Sequence, residues 1–318
     1  MSVTVPSLEL MVQHDVAVDS DRVWQRRLRL SQALWREAQG LAAGVHPRGR
    51  DEARTLGSRL AMPEAERDLS NYLTETIRQV VREELSSEAR RDEQKLYSAP
   101  RIYDDLLSSQ PLCFNLFGEL KADLTAASAV GRHLWPDRVR DVTRIDFEHS
   151  PGRGDAAYLG NRTAFDVYLE HTVPGGGEGF IAIEVKYHEN MSVGAAANRE
   201  RTEQIAKRSG IFANPSMDEL RSPPLQQVWF DHLLALSMLD ADAERWAGNG
   251  LFVFLHPVAN EAAYRIVNAY QRHLLDGRTF QRLTLEELTA VLQLKVGAPW
   301  VEAFETRYLI DDQSGSDG

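Results

Sequence analysis

Two short apolar segments on either side of a glycine run constrain this chain more than any other feature. Residues 163–171, TAFDVYLEH, and 179–188, GFIAIEVKYH, each read as a strand, and TVPGGGE between them supplies the residues a tight reversal needs. If Asp166 lies across from Glu184, the turn centres on Gly175, inside PGGGEG, so turn and pairing agree. Alternation along the first strand puts Asp166, Tyr168 and Glu170 on one face and Phe165, Val167 and Leu169 on the other. On the second strand Glu184 and Lys186 share a face, opposite Ile181, Ile183 and Val185. Two carboxylates and an ammonium are therefore expected on one side of a hairpin whose other side is apolar. Facing carboxylates repel. A divalent cation between them relieves the repulsion, and a pair of acids is donor chemistry that Mg²⁺ accepts. The plainer alternative is that Lys186 bridges Glu184 or Asp166 on a wet sheet face. Glu-x-Lys alone decides nothing, because it recurs at Glu93/Lys95 and Glu119/Lys121 in stretches that read as helical. The third copy lies in an apolar strand, where a charge is costly unless it is paired or used.

The flanking sequence places this hairpin in an α/β arrangement. Residues 114–134, FNLFGELKADLTAASAVGRHL, carry a helical apolar stripe, and 139–148, VRDVTRIDFE, alternate as a strand that SPGRGD ends. Downstream come a helix over 198–208, a strongly apolar helix in LQQVWFDHLLALSML and a buried strand in GLFVFLHP, followed by helical segments to about Leu309. Helices are also expected over 21–44, stopped at Gly44, and over 64–96. The resulting division is a helical N-terminal region over 1–100, an α/β domain with a mixed sheet and C-terminal helices over 101–310, and a tail over 311–318 disordered by composition.

Charge and composition exclude several classes. The formal net charge of −11 is the wrong sign for a protein that coats nucleic acid with its whole surface, although a local basic groove can act inside an acidic molecule. Arg199, Arg201, Lys207 and Arg208 lie together after the second strand and are the best local patch for a phosphate backbone, with a solvated helix face as the alternative. Arg153 and Asp155 lie near enough to the hairpin to reach a phosphate or a cation. No apolar run is long enough for a membrane span, and the N-terminus has no secretory pattern. The single cysteine, Cys113, forms no internal disulfide, which suggests a reducing cytoplasm. His149, His171 and His188 show no zinc-hydrolase spacing, and the GGG run lacks the context of a phosphate loop.

With Asp166 and Glu184-Val185-Lys186 on adjacent strands, in the order helix, three strands, helix, strand, the chain resembles the PD-(D/E)XK nuclease superfamily over about residues 112–256. More narrowly, FNLFGEL, FEHSPGRGDAAYLG, TAFDVYLEHT, GFIAIEVKYHE and PPLQQVWFDHLLA are similar to bacterial restriction-endonuclease-like proteins over about residues 95–295. The resemblance implies a restriction-endonuclease-like core and Mg²⁺-dependent (or Mn²⁺-dependent) hydrolysis of DNA phosphodiesters. By it, Asp166, Glu184 and Lys186 are catalytic, and Asp166, Glu184 and the Val185 carbonyl bind metal. Glu119 stands where many members keep an auxiliary metal-binding acid. Gln227, or Gln226 instead, matches a glutamine that positions substrate or water, and Arg153, Arg199 and Arg201 are the candidates for contacting the DNA backbone. Phe165 departs from the motif, which commonly has proline before the first aspartate. An inactive binding or scaffold protein of a defence or repair complex, a nuclease acting on RNA, and a homodimer all stay open.

Overall fold

The computed structural model describes residues 5–46, 54–86, 95–189, 191 and 200–310. Arg199, the charged stretch 87–94 and the tail 311–318 lie outside these residues. In chain order the described elements begin with helices α1 (Leu8–Gln13) and α2 (Val23–Ala38), strands β1 (Ala43–Val45) and β2 (Thr55–Leu60), and helices α3 (Glu64–Asp68), α4 (Glu75–Leu85) and α5 (Arg101–Asp104). Helices α6 (Ser109–Ala122) and α7 (Leu124–Leu134) lead into strands β3 (Asp141–His149), β4 (Phe165–Thr172) and β5 (Glu178–Val185). Helices α8 (Glu200–Ser209), α9 (Gln226–Ala241) and α10 (Ala243–Trp246) precede strand β6 (Gly250–His256). Helix α11 (Glu261–Gln271), strand β7 (Phe280–Thr284) and helices α12 (Leu285–Lys295) and α13 (Pro299–Tyr308) complete the chain.

Strands β3 to β7 form one sheet in sequence order, antiparallel from β3 to β5 and parallel from β5 to β7. This is the α/β class with a mixed sheet. The β4–β5 hairpin has the expected register: Val167 faces Ile183, Leu169 faces Ile181 and Thr172 faces Glu178. Gly175, Gly176 and Gly177 turn the chain with φ of +92°, +104° and +96°, a run of left-handed conformations that only glycine adopts without strain. Helices cover both faces of the sheet. Val167, Leu169, Ile183, Val253 and Leu255 pack with α4, α6, α7, α12 and α13, while Tyr168, Phe180, Ala182, Phe252 and Phe254 pack with α8, α9 and α11.

The hairpin is therefore not apolar on one side and wet on the other. Tyr168 and Ala182, on the carboxylate side, are buried because α9 is apolar almost all round and lies against them; its Val228, Trp229 and Leu233 are fully buried. Phe165 also departs from the expected alternation. It packs with Tyr168 and Phe252 on the α9 side, beyond the point where the β4–β5 pairing stops at Val167.

Several expected elements divide or change type for local reasons. The helix expected over 114–134 breaks at Asp123, whose carboxylate accepts from the Thr125 and Ala126 amides at 2.9 and 3.0 Å and so starts α7. The helix expected over 64–96 is interrupted where Leu69 takes φ +48° and Thr74 caps α4 through the Ile77 amide at 3.1 Å. Gly44 does not stop a helix. It sits in β1, where a Cβ would lie 2.2 Å from the Leu60 carbonyl oxygen. The N-terminal region thus contains a strand pair as well as helices. Its core also continues into the rest of the chain, since Trp24, Leu28, Tyr72 and Ile77 share one cluster with Phe114, Val253 and Phe304.

Candidate active site

Asp166 is the second residue of β4, and Glu184 and Lys186 bracket the last residue of β5, so the hairpin register alone brings the three to one end of the sheet. One oxygen of Asp166 accepts the Val185 amide at 2.8 Å. Lys186 Nζ lies 2.5 Å from Glu184 Oε1, and Gln227 Nε2, at the start of α9, donates to the same oxygen at 3.0 Å. Glu184 and Lys186 are only 5% and 7% exposed, yet both open with Asp166 onto a cleft of about 900 Å³. The cleft is also lined by Arg101, Arg162, Gln227 and Asp231.

Electrostatics follow from that burial. Desolvation, then repulsion from Glu184, pushes the Asp166 carboxyl up to about 8, against the opposing pull of Lys186 and the Val185 amide. Desolvation also raises Glu184, despite Lys186. Burial lowers the proton affinity of Lys186, but Glu184 and Asp166 outweigh it and hold the ammonium above its ordinary range. Glu189 is the exception among the acids: burial opposes its charge, but Lys186, its own amide, the Tyr187 amide at 2.8 Å and Arg101 keep it below the usual carboxylate range.

The other sequence candidates separate into those the fold brings to the cleft and those it does not. Both glutamines line the cleft, but Gln226 donates to the Arg221 carbonyl at 2.7 Å, while Gln227 reaches Glu184. Glu119 is not brought to the site: its carboxylate accepts from Thr74 Oγ1 at 2.5 Å, at the N-terminus of α4, and it does not line the cleft. Lys121 is not its partner either, pairing instead with Glu84 at 3.1 Å. Arg153 is absent from the lining because its guanidinium is spent on Glu148 Oε1 and the Arg162 carbonyl, both at 2.9 Å. Arg201 is likewise held by the Tyr158 and Ala157 carbonyls at 2.9 and 2.7 Å. Arg208 pairs with Asp240, and Asp155 caps a turn at the Ala157 amide. Among the described residues no group of three His, Cys, Asp or Glu side chains converges as a ready metal ligand set.

A family model for the PD-(D/E)XK nuclease superfamily matches residues 19–310, most of the chain. The chain belongs to the PD-(D/E)XK nuclease superfamily. The five-stranded mixed sheet flanked by helices is consistent with that superfamily's restriction-endonuclease-like fold, and the matched span begins at residue 19 and crosses residue 100, so the N-terminal helices from α2 onward lie inside it while α1 does not. No curated protein and no solved structure matches the chain. No helix among the described residues is long and apolar enough to cross a membrane.

Sequence reasoning missed three acids beside the PD-(D/E)XK motif, Glu189 described above and two others. Asp231 lies one helical turn after Gln227 on α9, is 4% exposed and has one buried oxygen with no hydrogen-bond partner among the described residues. Burial first, then Glu184, raises its carboxyl well above the usual range. The i, i+4 spacing of Gln227 and Asp231 on an apolar helix was the available signal. Glu148, in a left-handed conformation at φ +51° near the end of β3, is paired with Arg153; burial and then Asp166 raise its carboxyl. Nothing in the sequence of β3 distinguished it from an ordinary strand residue.

Proposed function

We propose that this chain is a metal-dependent nuclease that hydrolyses phosphodiester bonds in DNA. The observation that carries the reading is the union of Asp166, Glu184 and Lys186 at one sheet end on the wall of an open cleft. The donor chemistry fits a hard divalent cation. Two carboxylates are buried together with raised proton affinity, and neither Asp166 Oδ1 nor Glu184 Oε2 receives a hydrogen bond from the described residues. Asp166, Glu184 and the Val185 carbonyl would hold Mg²⁺ or Mn²⁺, with the remaining positions left to water and substrate, as is usual for Mg²⁺. Such an ion supplies Lewis acidity toward the phosphate and lowers the pKa of bound water.

The chain's own residues do the rest. Glu184 is oriented by Lys186 and Gln227, which both hold Oε1 and so fix the direction of Oε2. The Val185 amide fixes Asp166 in the same way. Lys186, kept charged by its neighbours, orients the attacking water or meets charge developing on the phosphate, a role that costs no reorganisation because the ammonium is already in place. Hydrolysis by this route needs no covalent intermediate.

Two stability results are expected. Mg²⁺ or Mn²⁺ raises the melting temperature of the wild type, because binding to the folded state alone stabilises it, and Asp166→Asn loses most of that rise. Equal shifts in the two proteins, followed by differential scanning fluorimetry, would remove Asp166 from the cation site. In EDTA the sign reverses. Below about pH 4 the carboxyl is protonated folded or unfolded; as pH rises toward 8 the unfolded chain ionises first, so the raised Asp166 carboxyl makes stability fall with pH. Asp166→Asn should flatten that fall between pH 5 and pH 8, and a variant with the wild-type slope would contradict the assignment.

A further inference from the structure

The cleft continues past its carboxylates. Arg101, His188 and Glu189 line both the main cleft and a side cavity of about 250 Å³, bounded further by Arg29, Ser58 and Arg59. Two of these arginines are neutralised in place. Arg29 Nε lies 2.6 Å from Asp21, and Arg59 reaches Asp104 and Asp105 at 2.7 and 2.9 Å. Arg101 is different. Its Nε donates to Ser108 Oγ at 2.8 Å, which fixes the stem, and its two terminal nitrogens make no hydrogen bond among the described residues, although its charge also acts on the Glu189 carboxylate. An anchored guanidinium with a free fork is the geometry that grips a phosphate through paired hydrogen bonds. His188, one residue beyond Lys186 and Tyr187, turns its Nε2 toward the Asp21 carboxylate, 3.8 Å away and beyond hydrogen-bond distance. The arginines that the sequence suggested for this task, Arg153 and Arg201, are already committed to carbonyls and to Glu148.

We propose that Arg101, with His188 beside it, binds a phosphate group of the DNA strand in the side cavity, next to the phosphate that is cleaved. This rests on the DNA-hydrolysing reading above and adds a substrate grip beside the cleavage site. The phosphate is either an internal one or a strand terminus, and the chemistry at Arg101 is the same for both.

The test is fluorescence anisotropy with duplex DNA carrying a 5′-phosphate, a 3′-phosphate or neither, in EDTA, over a range of salt. Wild type is compared with Arg101→Gln, Arg101→Lys and, as a distant exposed control, Arg272→Gln. Arg101→Gln is expected to bind about tenfold more weakly and to lower the slope of log affinity against log salt by about 0.9, the value for one lost phosphate contact. Arg101→Lys recovers most of the slope, which a purely structural role would not allow, and Arg272→Gln changes nothing. Loss confined to one phosphorylated end identifies a terminal phosphate; equal loss on all three duplexes identifies an internal one. A wild-type slope in Arg101→Gln overturns the proposal. Nicking assays on the same preparations separate the two readings: cleavage with a silent Arg101 removes the subsite alone, whereas Arg101-dependent binding without cleavage under any metal removes the nuclease reading and keeps the subsite.

Discussion

Replacing Lys186 by alanine is expected to lower the rate of DNA cleavage by at least about 10²-fold, the usual scale for losing one preorganised stabilising group, while leaving DNA affinity within a few-fold. The split follows from position. Lys186 is 7% exposed, with its ammonium on Glu184, so it contributes little to holding a DNA backbone in the ground state. Removing it also leaves Asp166 and Glu184 to repel each other with less relief, so the variant should melt lower than wild type in EDTA and recover part of the difference when Mg²⁺ is added. Single-turnover rates and binding measured on the same duplex check the claim. Cleavage by Lys186→Ala at the wild-type rate would show that hydrolysis arises elsewhere.

The second large effect lies in the packing that holds the N-terminal helices to the nuclease core. Arg307, on α13, is fully buried with no carboxylate partner among the described residues. Its guanidinium donates to the Asn71 carbonyl at 2.7 Å, to Asn71 Oδ1 at 2.5 Å and to Gln32 Oε1 at 3.1 Å, and it stacks over Trp35 at 3.8 Å. Gln32 on α2 returns a bond to the Arg307 carbonyl at 2.9 Å and another to the Tyr187 hydroxyl at 3.0 Å, three residues from Glu184. Arg307→Ala strands several buried acceptors and opens a cavity at once, so it should cost about 3 kcal/mol or more. Denaturant midpoints for wild type and variant measure it, and a loss below about 1 kcal/mol would mean that the N-terminal helices are held mainly by other contacts.

How far the sequence could be read depended on what each residue's direction was tied to. Asp166, Glu184 and Lys186 were legible because a two-residue period and the run Gly175 to Gly177 leave one register for the hairpin. Glu119 was not, because α6 is buried around nearly its whole circumference and offers no polar face from which to aim a side chain; the Thr74 hydroxyl captured it instead. Arg153 and Arg201 were misplaced for another reason. A guanidinium on a long stem reaches back to carbonyls of its own loop as readily as forward to a ligand, and sequence proximity to the motif does not choose between them. Strand β7 was hidden by its half-exposed Gln281 and Arg282, which mask a short parallel edge strand, and β1 by the glycine that close strand approach requires.

The most direct measurement is nicking of supercoiled DNA by wild type and Asp166→Asn, side by side, in Mg²⁺, Mn²⁺ and EDTA. The account predicts that wild type cleaves with either ion, that EDTA stops it and that Asp166→Asn is inactive although folded. Equal cleavage by both proteins, or no cleavage by wild type of supercoiled, linear or single-stranded DNA with either ion, would contradict it.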